Sequence, residues 1–231
     1  MFNKFVESAE AAVAGIADGA VVMVHGFGPT SCPIELIDAL LDHTDARDLT
    51  VVSNNSGVGY EGIGKLLASG RVRKIICSYP RMLPWMPNPF EELYKEGRIE
   101  LEVVPQGTLS ERMRAAAAGV AGFYVPTTVG TVLAEGKEVR VFDGREHVLE
   151  RALPADVALI SAECADRWGN LTYRLTSRNF GPTMAMAAKL TLVQARRTTE
   201  PDPIDPEAVI TPGIFVNRVV HIPQPKLLNW S

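Results

Sequence analysis

The chain has 231 residues, enough for one large domain or two small ones, and long enough to bury about 70% of its unfolded surface without a disulfide or metal staple. Apolar residues make up 46% and charged residues 22%, which excludes collagen, coiled coil and wholesale disorder. The net charge of −4, with no arm of clustered Lys or Arg, sets aside nucleic acid and anionic membrane surfaces as partners.

Short β-branched runs alternate with helical periodicity along the chain. Val21-Val22-Met23-Val24, ending near Gly26, reads as a buried strand. Pro33 to Leu41 follows as a helix, with Ile34, Ile37 and Leu41 on one face and Pro33 in its first turn. Leu49–Val52 is the next strand, Gly64–Ala68 lies in a helix, and Val72–Cys77 is a third strand. Such alternation, with short Gly-rich links, indicates βαβ units on a parallel sheet. Ile99–Val104 reads as a strand and Thr108 as the N-cap of a helix, Glu111 completing a capping box. Val139–Phe142 and His147–Leu149 flank Asp143-Gly144 as a hairpin. Ala155–Ile160 and Leu190–Gln194 are two more buried strands, separated by a small-residue helix from Met184 to Lys189. Ile214–Val216 and Val219–Val220 are expected as strands that close the fold. The expected organisation is α/β, an open, mostly parallel sheet layered with helices, in a single domain over residues 1–220 with a C-terminal tail over 221–231.

Cys32, Cys77 and Cys164 are odd in number and far apart. No CxxC pair exists, and the four histidines add no zinc spacing, so reduced, buried thiols and no metal site are expected. The first ten residues have no signal-peptide apolar region, and no apolar stretch approaches the roughly 18 residues of a membrane span. The expected location is cytoplasmic.

Four segments carry candidate chemistry. His25-Gly26-Phe27-Gly28 sits between a strand and a helix, where two glycines permit a tight turn and close backbone approach to a ligand, or serve packing alone. It lacks the rest of a dinucleotide fingerprint, and no GxxxxGK[ST] loop exists. Ser53-Asn54-Asn55-Ser56-Gly57 follows a strand, where adjacent amides are either ligand donors or self-bonded turn residues. Pro105-Gln106-Gly107-Thr108 stands at a third strand end, its Gln either a loop residue or an amide donor toward a carbonyl. Asp166-Arg167-Trp168-Gly169-Asn170 makes a compact polar corner between two strands.

Taken together, these segments resemble the A-type subunits of the bacterial 3-oxoacid coenzyme A-transferases, the succinyl-CoA:3-ketoacid and 3-oxoadipate enzymes. The resemblance rests on Gly26-Phe27-Gly28, Val52-Ser53-Asn54-Asn55, Arg73 to Ser78, Val104-Pro105-Gln106-Gly107-Thr108-Leu109, Leu133 to Glu138, Asp166 to Leu171, Arg178-Asn179-Phe180 and Thr211 to Val216, in the family's order along essentially the whole chain. It implies an active site between an A-type and a B-type subunit. A glutamate of the B-type partner attacks the acyl-CoA to give a mixed anhydride and then a glutamyl-CoA thioester. Coenzyme A is then a substrate, and no cofactor is implied. Asn54 and Gln106 correspond to residues that line the site from the A side and face the developing oxyanion; Asn55 is the alternative to Asn54. His25, Gly26, Phe27, Gly28 and Gly107 are the expected substrate-binding residues.

The family's Ser-Glu-Asn-Gly-like nucleophile loop has no match. Glu61-Gly62, Glu96-Gly97 and Glu135-Gly136 lack the Asn and read as helix-start, turn or loop residues. Partnership with a B-type CoA-transferase subunit in an A2B2 heterotetramer is therefore expected, with apolar loops at Met82–Met86 and Phe123–Val125 as interface candidates. Three departures bear on the acceptor acid. His25 replaces the first glycine of Gly-Gly-Phe-Gly, where it either faces the pocket or packs. Pro126-Thr127-Thr128-Val129-Gly130-Thr131 loses a glycine and a tyrosine, and the segment 82–89 is Pro-rich and long. The competing reading is a ligand-binding or sugar-phosphate isomerase-like domain of the same fold.

Overall fold

A computed structural model describes residues 3–28, 30–81, 87–200 and 202–228; the expected interface loop at Met82–Met86 lies outside them. Strand and helix alternate through β1 (Phe5–Val6), α1 (Ala9–Val13), β2 (Val21–Val24), α2 (Ile34–His43), β3 (Leu49–Val52), α3 (Ile63–Ala68), β4 (Val72–Cys77), α4 (Pro89–Lys95), β5 (Glu100–Val103) and α5 (Gln106–Ala117). A small antiparallel sheet follows, of β6 (Gly122–Val125), β7 (Val139–Phe142) and β8 (Arg145–Arg151), in spatial order β6-β8-β7. The chain returns to the main sheet through β9 (Ala155–Asp166), β10 (Leu171–Thr172), α6 (Gly181–Ala187), β11 (Ala188–Thr199) and β12 (Arg218–His221).

The main sheet runs β1-β12-β11-β9-β2-β3-β4-β5. All neighbours along that path are parallel, and only β10 turns back antiparallel, on β9. Its strands are apolar on both faces because helices cover both. On one face Leu36, Ile37 and Leu40 of α2 and Leu66 and Leu67 of α3 meet Val22, Val24, Val51 and Ile75. On the other, Leu109 and Met113 of α5 and Met184 of α6 meet Met23, Val52, Ile76 and Ile160. Each fully buried side chain of this size contributes about 2 kcal/mol of transfer free energy.

The hairpin forms as expected, Asp143 and Gly144 taking φ of 50° and 75°, the pair of positive values that a type I′ turn requires. Several local expectations are corrected. Helix α5 begins at Gln106, with Pro105 at the N-cap, so Thr108 is a buried first-turn residue and not the cap. The small-residue helix ends at Ala187, because Ala188 already pairs with Ala155 in the sheet. Ile214–Val216 is not a strand: Gly213–Phe215 forms a 3-10 turn. There Gly213 N donates to Asn170 Oδ1 at 2.8 Å, and a Cβ on Gly213 would lie 2.3 Å from the Trp168 carbonyl.

The described part of the C-terminal segment is tied back to the domain. Lys226 binds Glu35 through its N–H and Asp38 through Nζ, both at 2.5 Å, and Leu228 packs on Gly62. Phe123–Val125 is half-buried in β6. Within the small sheet the exposed apolar side chains are on β7, at Val139, Val141 and Phe142, whereas α5 packs beside β6.

The polar corner is built around Asp166, which is fully buried. Its carboxylate accepts from Trp168 N at 3.0 Å, Asn170 N at 3.0 Å and Asn170 Nδ2 at 2.8 Å, so one side chain satisfies three of the corner's donors. The cysteines Cys32, Cys77 and Cys164 are free and buried. No helix among the described residues is long and apolar enough to cross a membrane.

Candidate active site

The site is assembled by strand parity. Met23, Val52 and Ile76 point to the α5–α6 face, and successive strand residues alternate between faces. Two residues further along each strand stand His25, Asn54 and Ser78, in phase with them. The ladders continue far enough to hold that phase: His25 N donates to Leu159 O at 3.0 Å, Ser53 N to Ile76 O at 3.1 Å, and Ser78 N to Asn54 O at 3.2 Å. Gln106 opens α5 just past the end of β5. Four adjacent strands, β2 to β5, thus deliver His25, Asn54, Ser78 and Gln106 to the carboxyl edge on one face, where open α/β sheets place ligands.

The two expected amides meet. Gln106 Nε2 donates to Asn54 Oδ1 at 2.7 Å, with Asn54 buried at the base and Gln106 exposed at the rim. The bond consumes the Asn54 acceptor and one Gln106 N–H. Each amide carries two N–H groups, and among the described residues nothing accepts from Asn54 Nδ2. The pair therefore presents donors. Pro105 makes no side-chain cap bond, so the first-turn N–H groups of α5 add partial positive charge beside them. Gly107, in that turn, has nothing within 4 Å of where a Cβ would stand. Asn55 turns the other way: its Oδ1 accepts from Gly57 N at 2.8 Å, closing its own loop as an Asx turn.

The Gly26–Gly28 turn lies at the end of β2. Gly26 adopts φ of 143°, and a Cβ there would come 3.3 Å from Thr30 O, so only glycine fits without strain. Phe27 and Thr30 close the turn with reciprocal N–H to carbonyl bonds of 3.0 and 3.2 Å, which leave the Phe27 ring half exposed.

His25 is fully buried. Its Nδ1 accepts from Ser161 N at 3.3 Å, its ring meets Tyr173 edge-on at 5.9 Å, and Gly181 allows α6 to pass close against it. Burial lowers its pKa to about 4, against weaker opposing contributions from the backbone of Arg178 and of Ser161 and from the Asn179 side chain. Nε2 makes no hydrogen bond of normal geometry. In this setting a neutral imidazole forms part of the wall behind the turn.

A pH dependence follows. Native His25 stays neutral down to about pH 4, whereas an unfolded histidine protonates below about 6.5. The unfolded state then binds more protons, so stability is full above pH 6.5 and falls as pH drops toward 4, by about 3 kcal/mol in all. Unfolding free energies measured from pH 7 to pH 4 are expected to fall less steeply in His25→Gln by about this amount; parallel curves would contradict it.

Ser78 escaped selection from sequence although it stands within one of the matched segments. Its Oγ is buried without a hydrogen-bond partner, an arrangement that calls for an explanation in a native fold. The signal was its phase with Ile76, as the first polar side chain past the strand on the Asn54 side. Glu61, Glu96 and Glu135 are all exposed, and none hydrogen-bonds to Asn54 or Gln106. Among the described residues no cluster of His, Cys, Asp or Glu could hold a metal ion.

The coenzyme A transferase family profile matches residues 6–221, which include every residue of this site. The chain is 56% identical over 222 residues to the A-type subunit of 3-oxoadipate CoA-transferase from Pseudomonas putida, covering 96% of this chain and 95% of that protein. It is 49% identical to the A-type subunit of succinyl-CoA:3-ketoacid coenzyme A transferase from Xanthomonas campestris, over 94% of this chain and 88% of that one. Among solved structures, the acyl-CoA transferase YdiF apoenzyme of Escherichia coli O157:H7 superimposes with a TM-score of 0.85 at 25% identity, over 99% of this chain. The chain spans about half the length of that transferase, 49%.

Proposed function

The chain belongs to the coenzyme A transferase family, and from that premise we propose that it is the A half of a two-chain enzyme moving CoA from succinyl-CoA to a 3-oxo acid, 3-oxoadipate first among them. The observation that carries this reading is the near full-length identity of 56% to the A-type subunit of a 3-oxoadipate CoA-transferase. The paired amides at the sheet edge agree with it chemically.

A carboxylate of the partner chain attacks the thioester carbonyl, and negative charge develops on its oxygen. The free N–H groups of Asn54 and Gln106 stabilise that oxyanion, each fixed donor being worth about 3–4 kcal/mol in such sites. Collapse expels CoA thiolate and leaves an acyl-glutamyl anhydride. The thiolate attacks the glutamyl carbonyl, succinate departs as a carboxylate, and a glutamyl-CoA thioester remains. The 3-oxo acid then runs the sequence in reverse and leaves as its CoA thioester. Splitting one hard displacement into steps with a covalent intermediate is what the carboxylate nucleophile contributes. We place the site between this chain and its B-type partner, with an A2B2 assembly.

The test is a transfer assay on the co-expressed pair. Succinyl-CoA is expected to be turned over catalytically with 3-oxoadipate or acetoacetate and no further than one equivalent per site without them, with the higher kcat/KM for 3-oxoadipate. Failure to form any 3-oxoacyl-CoA would overturn the reading.

A further inference from the structure

The two sheets end in four edge strands, β1, β5, β6 and β7. Native sheets guard such edges, because a row of unpaired N–H and C=O groups is a template for another chain. β1 is two residues long. β5 carries Glu100 and Glu102, held in ion pairs with Arg73, Lys74 and Arg112. β6 has α5 beside it. β7 has none of these guards. It is exposed along its whole length, and apolar at Val139, Val141 and Phe142.

The ladder fixes which groups of β7 are free. Leu149 N donates to Glu138 O at 2.8 Å, and Arg140 and Phe142 stand opposite His147 and Arg145. Hydrogen-bonded and non-bonded pairs alternate along an antiparallel ladder, so Glu138, Arg140 and Phe142 turn their backbone to β8. Val139 and Val141 turn theirs to the open edge. The side chains of Glu138 and Arg140 share one face of the strand. Arg140 Nε donates to Glu138 Oε1 at 2.6 Å, and Tyr124 OH donates to the same oxygen. Among the described residues nothing donates to Glu138 Oε2, and nothing accepts from the two terminal nitrogens of Arg140. The edge therefore shows unpaired backbone, exposed valines, and one acid and one base that each keep bonding capacity in reserve.

A second copy of the same strand complements this edge. When two copies pair antiparallel about a two-fold axis perpendicular to the sheet, facing residues lie on the same face, which leaves registers centred on Val139, Arg140 or Val141. Centring on Arg140 sets arginine against arginine, and like charges directly opposite are destabilising. Centring on Val141 sets Val139 against Asp143, whose φ of 50° belongs to the hairpin turn and not to a strand. Centring on Val139 sets Glu138 of each copy against Arg140 of the other and packs Val139 on Val139 on the opposite face.

We propose that β7 is where two copies of this chain meet, edge to edge across a two-fold axis at Val139, joined by reciprocal Glu138–Arg140 ion pairs. The small sheets of the two copies then run on as one. The contact is the A–A junction of the A2B2 assembly, and it rests on the reading above only for the presence of the B-type partner. One strand pair alone buries little area for a stable dimer, so the junction is tested in the assembled enzyme.

Charge reversal is the test. Glu138→Arg and Arg140→Glu each place like charges across the axis, and each also breaks the ion pair within its own chain. Each variant, co-expressed with the partner, is expected to halve in native mass, from A2B2 to AB. Mixing the two variant complexes restores both pairs between copies while the pair within each chain stays broken. The mixture is expected to return to the A2B2 mass with one copy of each variant. Val141→Lys, which keeps both charges and guards the edge, is expected to halve the mass as well. Variants that stay tetrameric overturn the proposal, as does an unsubstituted pair of AB mass or a mixture that remains AB. CoA transfer is measured on the same samples and is expected to be little changed, because the candidate site lies on the main sheet; retained activity also shows that the variants are folded. Transfer without the mass changes overturns the junction alone, and absence of transfer by the unsubstituted pair overturns the CoA-transfer reading alone.

Discussion

Gln106→Ala is expected to lower kcat of the assembled enzyme by on the order of 10²–10³-fold while leaving the fold nearly intact. The two halves of that statement have separate grounds. Gln106 is exposed at the first position of α5, and the helix is anchored by Thr108, Leu109, Met113 and Ala115. Removing the amide loses one hydrogen bond, to Asn54 at 2.7 Å, worth about 1 kcal/mol and hence about 2–4 °C of Tm in a chain of this size. The expected catalytic loss is larger because, in the proposed role, the donors face a charge that exists only in the transition state. Asn54→Ala is expected to behave similarly, and the double variant to lose less than the sum, since each amide orients the other. A raised KM with unchanged kcat in Gln106→Ala would place the residue in ground-state binding instead.

The placement of these two amides was legible because strand ends can be read locally. Val52 and Val104 end apolar runs, and the amides that follow them fall at the carboxyl edge of any parallel sheet. What sequence could not decide was which of Asn54 and Asn55 faces inward, because the answer depends on the phase of β3 against β2 and β4. The Thr108 cap failed for a related reason. Thr is a good N-cap by local preference, but here tertiary packing buries it and the helix starts three residues earlier, placing Gln106 beside Asn54. At Ile214–Val216 an apolar, β-branched run was overridden by the close approach of Gly213 to Trp168, a contact between segments some 45 residues apart. His25 could be seen as a departure from the family pattern, but only the structure shows it enclosed by Tyr173, Ser161 and Gly181.

The chain by itself is expected to show no CoA transfer, and to gain it on mixing with its partner. Its proposed contribution is a set of N–H donors, and donors without a nucleophile stabilise an oxyanion that nothing forms. Glu61, Glu96 and Glu135, the local look-alikes of a nucleophile loop, are exposed and do not hydrogen-bond to the amide pair. Loss of the nucleophile from an enzyme of the covalent type costs on the order of 10⁶-fold in kcat, so the expected activity of the isolated chain is at background.

The most direct test of the division of labour is the mass of each chain after the assembled pair meets succinyl-CoA with no acceptor acid present. The expected result is an unmodified mass for this chain and a partner heavier by one CoA less one water, the adduct lying on a glutamate. A CoA thioester on Glu61, Glu96 or Glu135, or turnover by this chain alone, would contradict the account.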